Sequence, residues 1–307
     1  RCSCSAAAGC NSIVVLKRNP FMNPDVKHFH DAQSGTFSYV VSDPATKRAA
    51  IIDPVLGFSL ETGRTNPEQV DAIAGWVEAQ SLDVEWILET HAHADHVSSA
   101  QLMKSRLGGQ VALGEGIRSV QAHFGRLFNL GRDFAADGKE FDRLFEDGET
   151  FALGELEVRV LHTPGHTNDS VTYLVGNAAF VGDTVFMTDF GTARCDFPGG
   201  DAGLLYDSVQ KLFALPDDTV FYLCHDYPPS ERELRHAVPI AEQRADNVHI
   251  NDTVTRDSFI SMRNERDATL KPPLLVLPSL QVNIRAGHLP EPDDNGTVYL
   301  RIPVDTI

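Results

Sequence analysis

The chain has 307 residues, 42% of them hydrophobic, enough to bury the core of one large domain. No uninterrupted apolar stretch approaches the ~18 residues expected of a membrane-spanning helix, so no membrane role is expected. Against 43 Asp and Glu stand 26 Lys and Arg, a formal charge of −17 with no basic run, which argues against nucleic acid as a partner.

Residues 1–22 read as a tail ahead of a single catalytic domain over 23–307. Cys2, Cys4 and Cys10 crowd that tail without the CxxC spacing of a structural zinc site. With Cys195 and Cys224 they make an odd, irregular set, which suits a reducing compartment better than a disulfide framework. Arg, Ser and Ala dominate before the first acidic residue, Asp25, as in a trimmed transit peptide. The expected location is therefore cytoplasmic, or mitochondrial if that is what the tail is.

Residues 37–41 and 48–53 predict two strands joined by a turn at Asp43-Pro44. A helix should follow, with Asn66 as its cap, Pro67 in its first turn, and Val70, Ile73, Ala74 and Val77 on one face. Residues 84–88 predict a buried strand ending at Thr90, and residues 98–107 a helix stopped by Gly108-Gly109. From 115 to 146, Gly and mixed charge predict a partly helical insertion over one edge of the fold. Strands return over 157–161, 170–175 and 178–181. A helix over 203–214 groups Leu205, Val209 and Leu212, and a strand over 219–223 leads into Cys224-His225-Asp226. Strands and helices interspersed in this way predict one α/β sandwich, with a Pro-rich C-terminal extension of about 35 residues packed onto it.

The chemistry concentrates in Thr90-His91-Ala92-His93-Ala94-Asp95-His96, at the end of a predicted strand. Three imidazoles and a carboxylate in six positions are costly to bury as ordinary core, and they suit zinc, iron or manganese. Alternation lets His91 and His93 aim at one point while Asp95 and His96 turn toward a neighbouring one. Three later segments also place a ligating residue just after an apolar strand. They are His166 in Thr163-Pro164-Gly165-His166-Thr167, Asp183 in Val181-Gly182-Asp183, and His225. Gly or Pro at these places permits the tight geometry that presents a side chain at a sheet edge.

HxHxDH followed by TPGHT, GD and a final His resembles the metallo-β-lactamase superfamily, over residues 29 to 287 or so. The resemblance implies an αββα sandwich and ligands at His91, His93, Asp95, His96, His166, Asp183 and His225, with Asp183 able to bridge two metals. Further segments look like the persulfide dioxygenase branch. They include Gly35-Thr36-Phe37-Ser38-Tyr39, Ile52-Asp53-Pro54-Val55-Leu56, Ala193-Arg194-Cys195-Asp196-Phe197, Leu205-Tyr206-Asp207-Ser208-Val209 and Cys224-His225-Asp226-Tyr227. That branch oxidises the outer sulfur of glutathione persulfide with O2 to sulfite and glutathione, a step of hydrogen sulfide metabolism. It implies one Fe(II) per chain held by His91, His166 and Asp183, with coordination positions left open for sulfur and O2. His93, Asp95, His96 and His225 would then orient ligands or relay protons.

Glutathione carries two carboxylates, so the resemblance makes Arg194 the expected substrate contact and Tyr227 the next. The alternative for Arg194 is an ion pair with Asp196 that shapes its loop. Homodimers are common in the family. The competing reading is a thioester hydrolase like glyoxalase II, in which the same ligands hold two metals, zinc among them, and activate hydroxide. The sequence shows no evident counterpart of that enzyme's C-terminal glutathione-binding helices.

Overall fold

The computed structural model describes residues 23–131 and 134–306, so the tail with Cys2, Cys4 and Cys10 lies outside the described residues. β1 (Asp25–Asp31), β2 (Thr36–Ser42) and β3 (Arg48–Ile52) run antiparallel. Asp43 shapes the β2–β3 turn by accepting hydrogen bonds from Ala45 N and Thr46 Oγ1, the local chemistry that makes Asp a turn residue. β4 (Val55–Ser59) and β5 (Arg64–Asn66) form a small ribbon ahead of α1 (Glu68–Ala79). β6 (Asp83–Leu88) leads to β7 (Val97–Ser98), which pairs with β4, and then to α2 (Ala100–Leu107). β8 (Gln110–Gly114), α3 (Ile117–Leu127) and β9 (Arg143–Phe145) complete the first half. The first sheet has the order β1-β2-β3-β6-β8-β9, its last three strands parallel to β3.

The second half begins with β10 (Thr150–Leu153), β11 (Leu156–His162), β12 (Val171–Val175) and β13 (Ala178–Phe180). α4 (Ala202–Phe213), β14 (Val220–Tyr222) and β15 (Ala237–Pro239) follow, and these six strands form the second sheet in sequence order. α5 (Ile240–Asp246), α6 (Arg256–Asp267) and α7 (Val276–Asn283) close the chain. Side chains alternate between two cores, as strand geometry dictates. Val158, Val160, Tyr173 and Phe180 join Ile51, Ile87 and the buried faces of α1 and α2. Leu161, Leu174, Ala179 and Val181 join Leu205 and Val209 of α4 and Phe259 of α6. This is the expected αββα sandwich. Each fully buried Val, Leu, Ile or Phe contributes about 1.5–3 kcal/mol. Among the described residues no helix is long and apolar enough to cross a membrane.

The differences from the sequence reading have local causes. α1 starts at Glu68 with Pro67 as its cap, because Asn66 finishes β5, although its Oδ1 still accepts from Glu68 N at 3.0 Å. Ser98 belongs to β7 and not to a helix, because its N–H donates to Asn283 Oδ1 and its hydroxyl to Glu89. The 115–146 segment supplies α3 and the edge strand β9. The largest difference lies after residue 239, where α5 and α6 form in a stretch to which the sequence assigned no element and the packed C-terminal extension carries α7. Proline hid α7: Pro278 sits in its first turn, where a missing N–H breaks no intrahelical bond.

Candidate metal centre

The predicted ligands all follow strands that end at one edge of the sandwich. His91 comes after β6, His166 after β11, Asp183 after β13 and His225 after β14. The bridge between Thr36 and His225, with Phe37 N donating to Cys224 O at 2.7 Å, stitches the last of these to the start of β2. Two glycines make the close approach possible. A Cβ on Gly165, whose φ is 141°, would stand 2.3 Å from the Leu205 backbone, and one on Gly182, at φ 52°, would stand 2.6 Å from Thr90 Oγ1. Gly165→Ala is therefore expected to destabilise the fold by about 2–4 kcal/mol through strain and overpacking. It should also lower metal occupancy by displacing His166. Equilibrium unfolding and metal content check this; wild-type values for both would mean that α4 yields without cost.

Asp183 Oδ2 lies 4.0 Å from His91 Nε2 and 3.8 Å from His166 Nε2, and the three residues' ligand atoms fall within 4.8 Å of one another. Its other oxygen, Oδ1, lies 3.4 Å from His225 Nε2, which is 3.5 Å from Asp95 Oδ2. His93, Asp95 and His96 form a second convergent group. The expectation that His91 and His93 aim at one point is thus corrected. His93 turns its Nε2 onto Asp53 Oδ1 at 3.0 Å and groups with Asp95 and His96 instead.

The hydrogen bonds choose which nitrogen each imidazole offers. Thr90 Oγ1 donates to Asp53 Oδ2, so it accepts from His91 Nδ1 at 3.1 Å and leaves the His91 Nε2 lone pair free. His166 Nδ1 donates to Arg194 O at 2.7 Å, which likewise leaves Nε2. His93 donates from Nε2 and keeps Nδ1, and His96 engages Asp95 through Nδ1 and keeps Nε2. His91 Nε2, His93 Nδ1, His96 Nε2 and Asp183 Oδ1 are accordingly buried without a hydrogen-bond partner. Each such orphan costs about 1–3 kcal/mol, and their distribution over the two ligand groups fits a bound cation at this edge of the sandwich.

The electrostatics agree with a cation site. Burial, then neighbouring imidazoles, hold His91 and His93 well below the usual imidazole range, so both are neutral and able to ligate. At Asp95 burial opposes ionisation, but His225 and His96 outweigh it and hold the carboxyl well below its usual range. At His225 burial opposes protonation, yet Asp183 and Asp95 overcome it and raise the pKa.

Supporting residues that sequence reasoning missed hold this arrangement. Asp53 sits at φ 49°, a left-handed conformation that Asp tolerates, and its carboxylate also accepts from Thr90 N at 2.7 Å. Its place in Ile52-Asp53-Pro54 was the available signal. Burial and then Asp53 push Glu89 well above the usual carboxyl range, and its Oε2 stands 3.6 Å from His93 Nε2. Asp169 accepts from Ala92 N at 2.8 Å. Asn283, at the end of α7, donates to His93 O at 2.7 Å and His96 O at 2.8 Å.

A cavity opens beside Asp183, His166 and His225, walled by Phe186, Phe190 and Tyr227. Tyr227 stacks on His225 with ring centroids 5.7 Å apart. Arg194 lines the cavity, but its guanidinium is engaged. Nε and Nη2 donate to Asp196 at 2.6 Å each, and Nη1 donates to Lys271 O at 2.6 Å. That is the loop-shaping arrangement set beside the substrate role in the sequence. Arg263 and Arg266 of α6 also line the cavity, so C-terminal helical residues reach the site.

Residues 32–225 match the model of the metallo-beta-lactamase superfamily. Glyoxylase B2 of Dictyostelium discoideum is 49% identical over 91% of this chain and 97% of that one. The mitochondrial human persulfide dioxygenase ETHE1 is 31% identical over 66% of this chain and 68% of its own. The crystal structure of ETHE1 from Myxococcus xanthus superposes with a TM-score of 0.68 at 30% identity, covering 86% of this chain and all of that one. Sandwich topology, convergent His and Asp ligands and these similarities lead to one conclusion: the chain belongs to the metallo-beta-lactamase superfamily and is a metal-dependent enzyme with relatives in the persulfide dioxygenase branch.

Proposed function

We propose that residues 23–307 act as a persulfide dioxygenase that oxidises glutathione persulfide with O2 at one Fe(II) to give sulfite and glutathione. The observation that carries this reading is the His91, His166 and Asp183 group facing an open, aromatic-walled cavity. Bound there, Fe(II) would supply a redox-active Lewis acid with positions open to sulfur and O2. The protein's own contribution is positional. Thr90 and the Arg194 carbonyl fix the two imidazoles, and Asp53 holds Thr90. Phe186, Phe190 and Tyr227 limit water around the reacting sulfur. Two oxygens of sulfite come from O2 and the third from water. His225 Nε2, between Asp95 and Asp183, is placed to hold the proton that water releases.

A second reading, a glyoxalase II-like hydrolase with two metals, is favoured by two observations. The two oxygens of Asp183 face different ligand groups, and glyoxylase B2 of Dictyostelium discoideum is a similar protein. Anaerobic metal analysis followed by oxygen-electrode measurements separates the readings. About one iron per chain with persulfide-dependent O2 uptake is expected. Two zincs per chain, thioester hydrolysis and no O2 uptake would overturn the dioxygenase.

A further inference from the structure

Three cationic side chains line the cavity beside the metal centre: Arg194, Arg263 and Arg266. Two of them are already paired with a carboxylate of the protein itself. Arg194 spends its guanidinium on Asp196 and Lys271 O. Arg263 is buried, with Nε and Nη2 on Asp267 Oδ1 at 3.0 and 2.7 Å and Nη1 on Thr192 O at 3.0 Å. Arg266 stands one helical turn further along α6 and is exposed. Its guanidinium has no hydrogen-bond or ion-pair partner among the described residues. The carboxylates lining the cavity are Asp95 and Asp183, both within the ligand groups of the centre. An anionic substrate entering a chain of formal charge −17 therefore meets one guanidinium with all its donors free.

We infer that Arg266, and not Arg194, binds a carboxylate of the substrate and gives the cavity its preference for a carboxylate-bearing thiol carrier; this rests on the glutathione persulfide reading. The planar fork of Arg suits a carboxylate, and the neighbouring cavity residues Leu270 and Pro273 partly shield the contact from water. Arg194 keeps a separate task. It holds its loop, with its guanidinium 4.9 Å from the Phe197 ring and its carbonyl on His166.

The test is anaerobic calorimetry of the metal-loaded enzyme with glutathione and with glutathione diethyl ester, whose carboxylates are capped. Both are titrated into the wild type and Arg266→Gln. The substitution should weaken glutathione binding about tenfold or more, the scale of a charge-assisted hydrogen bond, with metal content and melting temperature unchanged. Capping the carboxylates should cost the variant at least tenfold less than it costs the wild type, the coupling that a direct contact requires. Arg266→Lys should recover part of the affinity. A variant that binds glutathione like the wild type, or that suffers the full capping penalty, would overturn the Arg266 assignment while leaving the dioxygenase reading intact. A wild type with no affinity for glutathione would overturn the glutathione reading, and the Arg266 role with it.

Discussion

Asp183→Ala is expected to abolish metal binding, whereas His225→Ala should leave most of it. The difference follows from where the two oxygens of Asp183 point. Oδ2 completes the group with His91 and His166, and without it two imidazoles remain as the only candidate ligands of that group. Removing the carboxylate also removes the negative charge that a divalent cation needs in a buried site. His225 reaches only Oδ1 and Asp95, so a metal held by the first group keeps all three ligands when the imidazole is lost. Loss of a supporting contact of that kind typically costs 10–100-fold in affinity, and loss of a ligand more. Asp183→Asn serves as a control that keeps the shape and removes the charge, and it should behave like the alanine variant. Metal content after anaerobic reconstitution, with affinities from chelator competition, reads the outcome. If His225→Ala loses metal as completely as Asp183→Ala, the centre is dinuclear and the hydrolase reading prevails.

The convergence of the candidate ligands was legible in the sequence because they follow apolar strands closely, where a short turn leaves little choice of direction. Helix α1 was legible for a similar reason, since Val70, Ile73, Ala74 and Val77 already mark a face and all four are buried. What the sequence concealed is contact between distant segments. Nothing local to His93 says that its Nε2 meets Asp53, 40 residues earlier, and so the simple alternation of HxH misgrouped it. Arg194 illustrates the opposite failure. The cation was found, but Asp196 two residues on takes two of its donors, and a Lys271 carbonyl 77 residues away takes a third. The C-terminal helices were lost among prolines and charges. α6 exposes most of its length and its apolar pattern is weak, so only its packing against α4 reveals it. Local pattern thus found the candidate ligands that the fold brings together, while their tautomers and supports come from tertiary contacts.

Asn283→Ala should weaken metal binding 10–100-fold even though Asn283 is not among the candidate ligands. The residue lies buried at the end of α7, and its amide is fully used on the ligand-bearing loop 190 residues away. Nδ2 donates to both His93 O and His96 O, while Oδ1 accepts from Ser98 N at 2.8 Å. These three bonds fix the backbone on both sides of Asp95, and so the directions of His93 and His96. Truncation leaves two carbonyls and one N–H buried without partners, at about 1–3 kcal/mol each before relaxation. A net destabilisation of about 2–4 kcal/mol in equilibrium unfolding of the metal-free protein is expected. Asn283→Asp sharpens the argument. It keeps the acceptor for Ser98 N but turns a carboxylate toward two carbonyl oxygens, so it should be at least as damaging as alanine. If either variant loses stability while its metal affinity, from chelator competition, stays at the wild-type value, α7 is a packing element alone. If affinity falls in step with the lost bonds, the C-terminal helix is part of the metal centre, held there by one asparagine.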